Sequence, residues 1–241
     1  MNHYFRFRHF VARNLRRFNL MPLVRWLRPE SATINRFDNS HQYWKERYEQ
    51  GGDSGEGSYG ALARYKARYL DTLIRDQNIH SVIEFGCGDG HQASMLTIDT
   101  YTGIDISDLC IEKCRATLSR KGWRFMLLEE YNQLDGHPAH DLAISLDVVY
   151  HLVEDATYYA YLNTLFRSSD RFVLIYSSNF SRYDEDVPHV RHREFVADVA
   201  KRFPTWAMIA TEQNPYAKDP RSMNYGSFAQ FFLFQRQTTP A

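Results

Sequence analysis

Apolar residues recur along this chain in two periods. From Tyr59 to Gln77 the spacing is helical, with Leu62, Tyr65, Tyr69, Leu73 and Ile74 on one stripe, and Asn78 closes the segment. Short apolar runs and helical stretches then alternate. The pattern predicts strands at 81–85, 101–105, 123–128, 141–146 and 171–176, and helices at 91–98, 108–120 and 155–168, with a polar loop at 129–140. A helix at 191–202, a strand at 205–211 and the aromatic strand Phe228–Phe234 complete the series. Repeated strand–helix units predict an α/β fold, a parallel sheet with helices on both faces. The last two strands have no helix between them, which predicts an antiparallel pairing at the sheet edge. No internal repeat and no second domain are visible.

Ahead of this body the pattern changes. Phe7, Val11, Leu15 and Phe18 share one helix face, with Arg6, Arg13, Arg16 and Arg17 partly around it; Pro22 interrupts and Pro29 ends the segment. Such a basic amphipathic arm suits an anionic membrane surface, and it equally suits packing on its own domain or on a protein partner. Residues 38–60 combine a short aromatic helix carrying Tyr43, Trp44 and Tyr48 with a glycine- and serine-rich loop. That is either a linker or a lid that folds over a ligand, and three large aromatics are costly to leave in a linker. The chain therefore divides into an arm (1–30), a lid or linker (31–58) and a catalytic-type domain (59–241).

Composition narrows this picture only slightly. The 241 residues carry 29 basic and 29 acidic side chains, a net charge of zero. Residues 1–28 contain arginines and no acidic residue, so the remainder is net acidic, which argues against a broadly basic nucleic-acid-binding body. No stretch reaches the ~18 apolar residues of a membrane span, and the N-terminus lacks the pattern of a secretory signal. Three cysteines are too few for a disulfide framework. Cys110 and Cys114 would share a helix face, yet no histidine cluster completes a metal set, so no metal is expected. These features predict a cytoplasmic protein, with the inner membrane face as the place to which the arm would bring it.

The chemistry concentrates at Val82-Ile-Glu-Phe-Gly-Cys-Gly-Asp-Gly90 and Tyr101-Thr-Gly-Ile-Asp105. Gly86, Gly88 and Gly90 follow a strand directly, where glycine permits a tight turn and close approach of backbone to ligand. Asp105 ends the next strand, where a carboxylate can accept both hydroxyls of a ribose. The dinucleotide fingerprint needs a third glycine spaced by two residues, but His91 follows Gly90, which disfavours a dehydrogenase. Glu84 and Asp89 would repel phosphates and suit a cationic amino acid portion.

Glu84-Phe-Gly-Cys-Gly-Asp-Gly90 resembles the first motif of the class I S-adenosylmethionine-dependent methyltransferases, and Gly103-Ile-Asp-Ile-Ser107 resembles their second. The likeness spans residues 59–236 and implies a seven-stranded Rossmann-like sheet, mostly parallel, with an antiparallel last strand. It implies S-adenosylmethionine as cofactor, with Gly86, Gly88 and Gly90 against its methionine and ribose portions, Asp105 on the ribose and Ile106 on the adenine. In the zone after the third strand, where the family often places an acidic or polar residue near the adenine amine, stand Glu129, Glu130 and Tyr131; Glu130 is the candidate. Ile144-Ser-Leu-Asp-Val-Val-Tyr-His-Leu-Val-Glu-Asp155 resembles the family's segment at the end of the fourth strand. Asp147 would then face the methionine portion or the acceptor, and His151 would stand near the transferred methyl with Tyr150 alongside. Plain structural roles compete: Asp147 as a helix N-cap and His151 as a satisfied helix-start residue.

Further candidates for an acceptor pocket are Tyr176, Ser178 and Asn179 after the fifth strand, and Arg191 and Arg193, which could hold an anionic group. Turn capping and a solvated helix start are the competing readings. The activity implied is methyl transfer to an oxygen of a small polar acceptor, with a sugar or glycan precursor as the candidate, since residues 43–60 look similar to methyltransferases found with bacterial glycan-building enzymes. An RNA or protein methyltransferase and a non-catalytic, cofactor-binding assembly module are the alternatives.

Overall fold

The computed structural model describes residues 37–217 and 227–237. The predicted arm lies outside the described residues.

Helix α1 (Ser40–Glu49) is followed by a 3-10 turn (Glu56–Ser58) and helix α2 (Gly60–Asp76). The parallel strands are β1 (Ser81–Phe85), β2 (Thr100–Asp105), β3 (Trp123–Leu127), β4 (His140–Leu146) and β5 (Ser169–Ser177). Between them run α3 (Asp108–Thr117), α4 (Leu128–Asn132) and α5 (Asp155–Arg167). A two-residue ladder, β6 (Arg182–Tyr183) with β7 (Arg191–His192), precedes helix α6 (Phe195–Arg202) and the hairpin β8 (Trp206–Glu212) and β9 (Gln230–Arg236). The sheet order is β3-β2-β1-β4-β5-β9-β8. β9 is antiparallel to both neighbours, so the last strand inserts between β5 and β8 and leaves β8 at the edge.

The central strands are buried on both faces, and two apolar layers result. Val82, Tyr101, Leu142 and Leu174 meet α2 and Phe231 on one side, while Ile83, Ile104, Val173 and Phe232 meet α5 and α6 on the other. At roughly 1.5–3 kcal/mol per fully buried large apolar side chain, this double layer dominates the stability of the body.

Three predicted elements differ. The helix expected at 91–98 is only the 3-10 turn Ala93–Met95. Ser94 Oγ donates to the His91 carbonyl at 2.7 Å and Thr97 N donates to Asp71 Oδ1 of α2 at 3.0 Å, so side chains take up backbone groups that a helix would have used. The polar loop at 129–140 begins with α4, whose N-terminus Glu130 caps by accepting from Leu127 N at 2.9 Å. The helix expected from 191 starts at Phe195, because Arg191 and His192 are extended in β7 and Asn179 Oδ1 caps Val196 N at 3.1 Å. In α2 the buried face runs through Ala63, Lys66, Ala67, Leu70 and Leu73, whereas Leu62 and Tyr69 on the predicted stripe are only partly covered.

Candidate active site

A cavity of about 470 Å³ opens at the carboxyl ends of β1, β2 and β4, the edge where ligands of open α/β sheets bind. Its floor is the turn after β1. Gly86 has φ +84° and a Cβ there would sit 2.4 Å from Val148 Cγ2; Gly88 has φ +54° and a Cβ there would sit 2.4 Å from Ser54 Oγ. Both positions exclude a side chain on two grounds, conformation and space. Gly90 is different. It does not line the cavity; its missing Cβ makes room for Leu118 and Cys114 of the α3 region. The structure gives Gly90, expected against the ligand, the role of a close-packing glycine for the neighbouring helix.

Asp105 and Ile106 line the cavity. The Asp105 carboxylate is buried, accepts from Gly88 N at 2.8 Å and from Ser107 N at 2.9 Å, and keeps lone pairs for a ligand. Burial raises its pKa, and those backbone donors oppose the rise. Glu84 also lines the cavity, under a hydrogen bond from the Tyr101 hydroxyl. Burial pushes its pKa up to about 7 against the opposing effects of Tyr101 and Lys66. Beside it, Gln92 donates through Nε2 to the Ala63 carbonyl at 3.0 Å, and Gln92 Oε1, buried on the cavity wall, has no partner among the described residues. A carboxylate that can ionise and a free amide oxygen together suit the ammonium group of an amino acid. Asp89 is engaged elsewhere, by Tyr59 at 2.6 Å and Lys113 at 2.9 Å.

Glu130 is not in the cavity. Besides capping α4, it pairs with Arg115 at 2.7 Å, and the far wall is formed by Leu128 and Asn132 instead. Helix capping claimed the carboxylate predicted for the adenine.

The segment after β4 carries the densest polar network. Asp147 holds φ +60°, unusual for a residue with a side chain. It does not cap a helix. Its Oδ2 pairs with Lys66 Nζ at 2.6 Å and its Oδ1 accepts from the Tyr150 hydroxyl at 2.8 Å. Leaving the buried Lys66 ammonium unpaired would cost on the order of 3–5 kcal/mol, so Asp147 holds Lys66 in place. Lys66 lies on the core stripe of α2, with its ammonium 5.3 Å over the Tyr176 ring. Sequence reasoning missed it, although a lysine in register with Ala63, Leu70 and Leu73 was the available signal. His151 lies in a 3-10 turn and faces the cavity. Its Nδ1 is 3.0 Å from the His189 carbonyl, which can only accept, so Nδ1 carries the proton and Nε2 has no hydrogen-bond partner among the described residues. Burial lowers the His151 pKa to about 4, keeping the ring neutral.

Residues 40–59 cover the cavity. Trp44 and Tyr48 line it, and Trp44 meets the His151 ring at 4.7 Å. Tyr43 lies outside it and stacks on His189 at 4.4 Å. The cover is tied down at both ends. Ser40 accepts from Val153 N at 3.0 Å and donates through its backbone N to Glu154 at 2.9 Å, while Tyr48 meets Ser54 at 3.0 Å and Tyr59 meets Asp89 at 2.6 Å. A second, smaller cavity of about 180 Å³ shares the wall of Trp44, Ser54, Asp147 and His151 and is completed by Tyr43, Arg47, Gly55, Gly57, Tyr150 and His189.

The remaining acceptor candidates have structural roles. The Tyr176 hydroxyl accepts from Asn214 at 2.7 Å, Ser178 Oγ pairs with His192 Nδ1 at 2.7 Å, and Asn179 caps α6. Arg191 and Arg193 both clamp Asp155, at 3.0 and 2.6 Å, and donate to the Val153 carbonyl. None of the five lines either cavity; a turn-rich sequence after β5 is consumed in holding β7 and α6 on the body. Tyr150 reaches only the smaller cavity. Cys87, Cys110 and Cys114 are free and buried, and the described residues contain no cluster of metal-ligating side chains.

The sheet order, the glycine turn and the acidic end of β2 define a Rossmann-like methyltransferase fold. Residues 83–173 match the family profile described as a methyltransferase domain. The N-methyltransferase NodS from Bradyrhizobium japonicum WM9, solved with S-adenosyl-L-homocysteine, is similar with a TM-score of 0.62 at 16% identity, over 83% of this chain and 99% of that one. A putative O-methyltransferase from Klebsiella pneumoniae gives 0.52 at 17% identity, over 90% and 94% of the two chains. The methyltransferase domain of bacterial CtHen1 gives 0.56 at 18% identity, over 72% and 97%. No curated protein sequence matches the chain significantly. Residues 83–173 thus match a methyltransferase domain, the fold is one shared with S-adenosylmethionine-dependent methyltransferases, and S-adenosylmethionine is the methyl donor that this match indicates.

Proposed function

We propose that the protein transfers the methyl group of S-adenosylmethionine to a hydroxyl oxygen of a small polar acceptor, a sugar or glycan precursor being the leading candidate. The larger cavity takes the donor: Gly86 and Gly88 against the methionine and ribose, Asp105 on the ribose hydroxyls, Ile106 with Leu128 and Asn132 around the adenine, and Glu84 with Gln92 on the ammonium. The smaller cavity takes the acceptor. One observation carries this reading: His151, neutral and with Nε2 unpartnered among the described residues, stands on the wall that the two cavities share.

When bound, the sulfonium supplies an electrophilic methyl; its carbon–sulfur bond breaks with the electron pair left on sulfur as a carbon–oxygen bond forms. Holding the two reactants in line supplies most of the acceleration. His151 Nε2 takes the hydroxyl proton, which becomes strongly acidic as the oxygen gains the methyl, so a base with a pKa of about 4 is sufficient. Trp44 and Tyr48 exclude water.

The direct test is transfer of label from S-adenosylmethionine to a panel of sugars, carboxylates and RNA. Turnover of sugars is expected; turnover of RNA alone would overturn the reading. In the same assay His151→Gln is expected to lower kcat by ~10²–10⁴, the usual worth of a general base, and to leave S-adenosylhomocysteine affinity near wild type by calorimetry. We also assign residues 1–30 to an arm that holds the protein at the inner membrane face, a reading supported by the arginine and apolar pattern of residues 1–28.

A further inference from the structure

Asp147 stands on the wall common to both cavities, so its charge acts on whatever occupies the smaller one. An exposed carboxylate there would attract ammonium compounds. Lys66, fully buried, prevents this: its Nζ is 2.6 Å from Oδ2 on the side away from the Tyr150 bond to Oδ1. The other titratable groups around the chamber are Tyr43, Arg47, Tyr150, His151 and His189. Burial holds both histidines below their ordinary pKa, and Arg47 is paired with Asp53 at 3.2 Å. The chamber thus has hydrogen-bonding capacity and no uncompensated negative charge. Gly57 seals the arrangement, since a Cβ there would lie 2.7 Å from Asp147 Oδ2.

We propose that Lys66 is a specificity-determining positioning residue: by cancelling the charge of Asp147 it makes the smaller chamber accept neutral hydroxyl compounds and reject ammonium compounds. The proposal rests on the reading that this chamber holds the acceptor. Asp147, with two of its lone pairs taken by Lys66 and Tyr150, still offers others to orient a hydroxyl. An ammonium gains nothing from a carboxylate already paired, and it loses its hydration shell on entry.

The test uses matched alcohol and amine pairs, such as glucose with glucosamine and benzyl alcohol with benzylamine, as substrates or inhibitors of labelled methyl transfer. Wild type is expected to methylate alcohols and to bind the matched amines at least tenfold more weakly. Lys66→Met should lower the amine-to-alcohol ratio of KM or inhibition constants by tenfold or more. Lys66→Arg should keep the wild-type ratio, and Lys66→Met combined with Asp147→Asn should restore it, which a merely structural defect would not do. Lys66→Gln, able to hydrogen-bond Asp147 without a charge, carries the same comparison if Lys66→Met fails to bind S-adenosylhomocysteine. A ratio unmoved in a Lys66 variant that still binds S-adenosylhomocysteine overturns this proposal and leaves the oxygen-transfer reading standing. Wild-type preference for amines, or no turnover across the panel, overturns that reading and this proposal with it.

Discussion

Glu84 shows how one buried side chain ties stability to ligand binding. Its carboxyl is pushed up to about 7 by burial, from an ordinary value of 4.5. The folded, ligand-free protein therefore binds this proton more tightly than the unfolded chain does. The stability that Glu84 contributes is complete below pH 4.5 and is lost as the pH rises through 7. A cationic ammonium in the cavity reverses the preference, because it favours the ionised carboxylate. Affinity for S-adenosylhomocysteine is accordingly expected to strengthen by several-fold from pH 6 to pH 8 in calorimetry, with the slope removed in Glu84→Gln. An identical slope in that variant would assign the titration to another group. His151 behaves in the opposite sense: its pKa falls from 6.5 to about 4, so its contribution is present above 6.5 and is lost on acidification.

At the scale of elements, the cover formed by α1 and the loop to α2 is fastened to the body by few bonds. At one end are the contacts of Ser40 with Val153 and Glu154, and at the other Tyr59 and Ser54 meet Asp89 beside the glycine turn. A hydrogen bond to a charged group is worth about 1.5–3 kcal/mol, against the larger stability of the double-layered body. Tyr59→Phe removes the 2.6 Å bond to Asp89 and keeps the ring that packs on His91. It is expected to raise the dissociation rate of S-adenosylhomocysteine by about tenfold and to speed amide exchange over residues 40–59, with the midpoint of global unfolding little changed. Equal loss of protection throughout the sheet would show that the cover and the body unfold together.

For the molecule as a whole, the inserted β9 closes the core of the sheet body with Phe231, Phe232 and Phe234. Among the described residues no helix is long and apolar enough to cross a membrane. Attraction of the arginines of residues 1–28 to anionic lipid would contribute about 1 kcal/mol per basic residue. Deleting residues 1–28 is expected to abolish sedimentation with phosphatidylserine vesicles while S-adenosylhomocysteine binding persists. Failure of the full chain to sediment would point to an arm that packs on protein.

Much of this was legible in the residues themselves. The alternation of strands and helices, the glycine turn at Gly86 and Gly88, and Asp105 at the end of β2 are local signals. They depend on spacing and backbone chemistry that any window of the sequence displays. The double glycine requirement and the acidic strand end therefore pointed to residues that the fold gathers around one cavity, before any packing was considered. Residues whose work depends on a distant partner were not legible in this way. Gly90 packs on α3, Glu130 pairs with Arg115, and Ser178, Asn179, Arg191 and Arg193 hold β7, α6 and Asp155 in place. Each has the right chemistry for a ligand, and each is consumed by a contact that only the folded chain creates. Lys66 is the converse: unremarked in sequence, it meets Asp147 across 81 residues of chain. The glycine turn and acidic strand end at the larger cavity were set by local sequence, whereas the charge balance at Asp147 was decided by tertiary structure, because neutralising a carboxylate takes a cation brought to it by the fold.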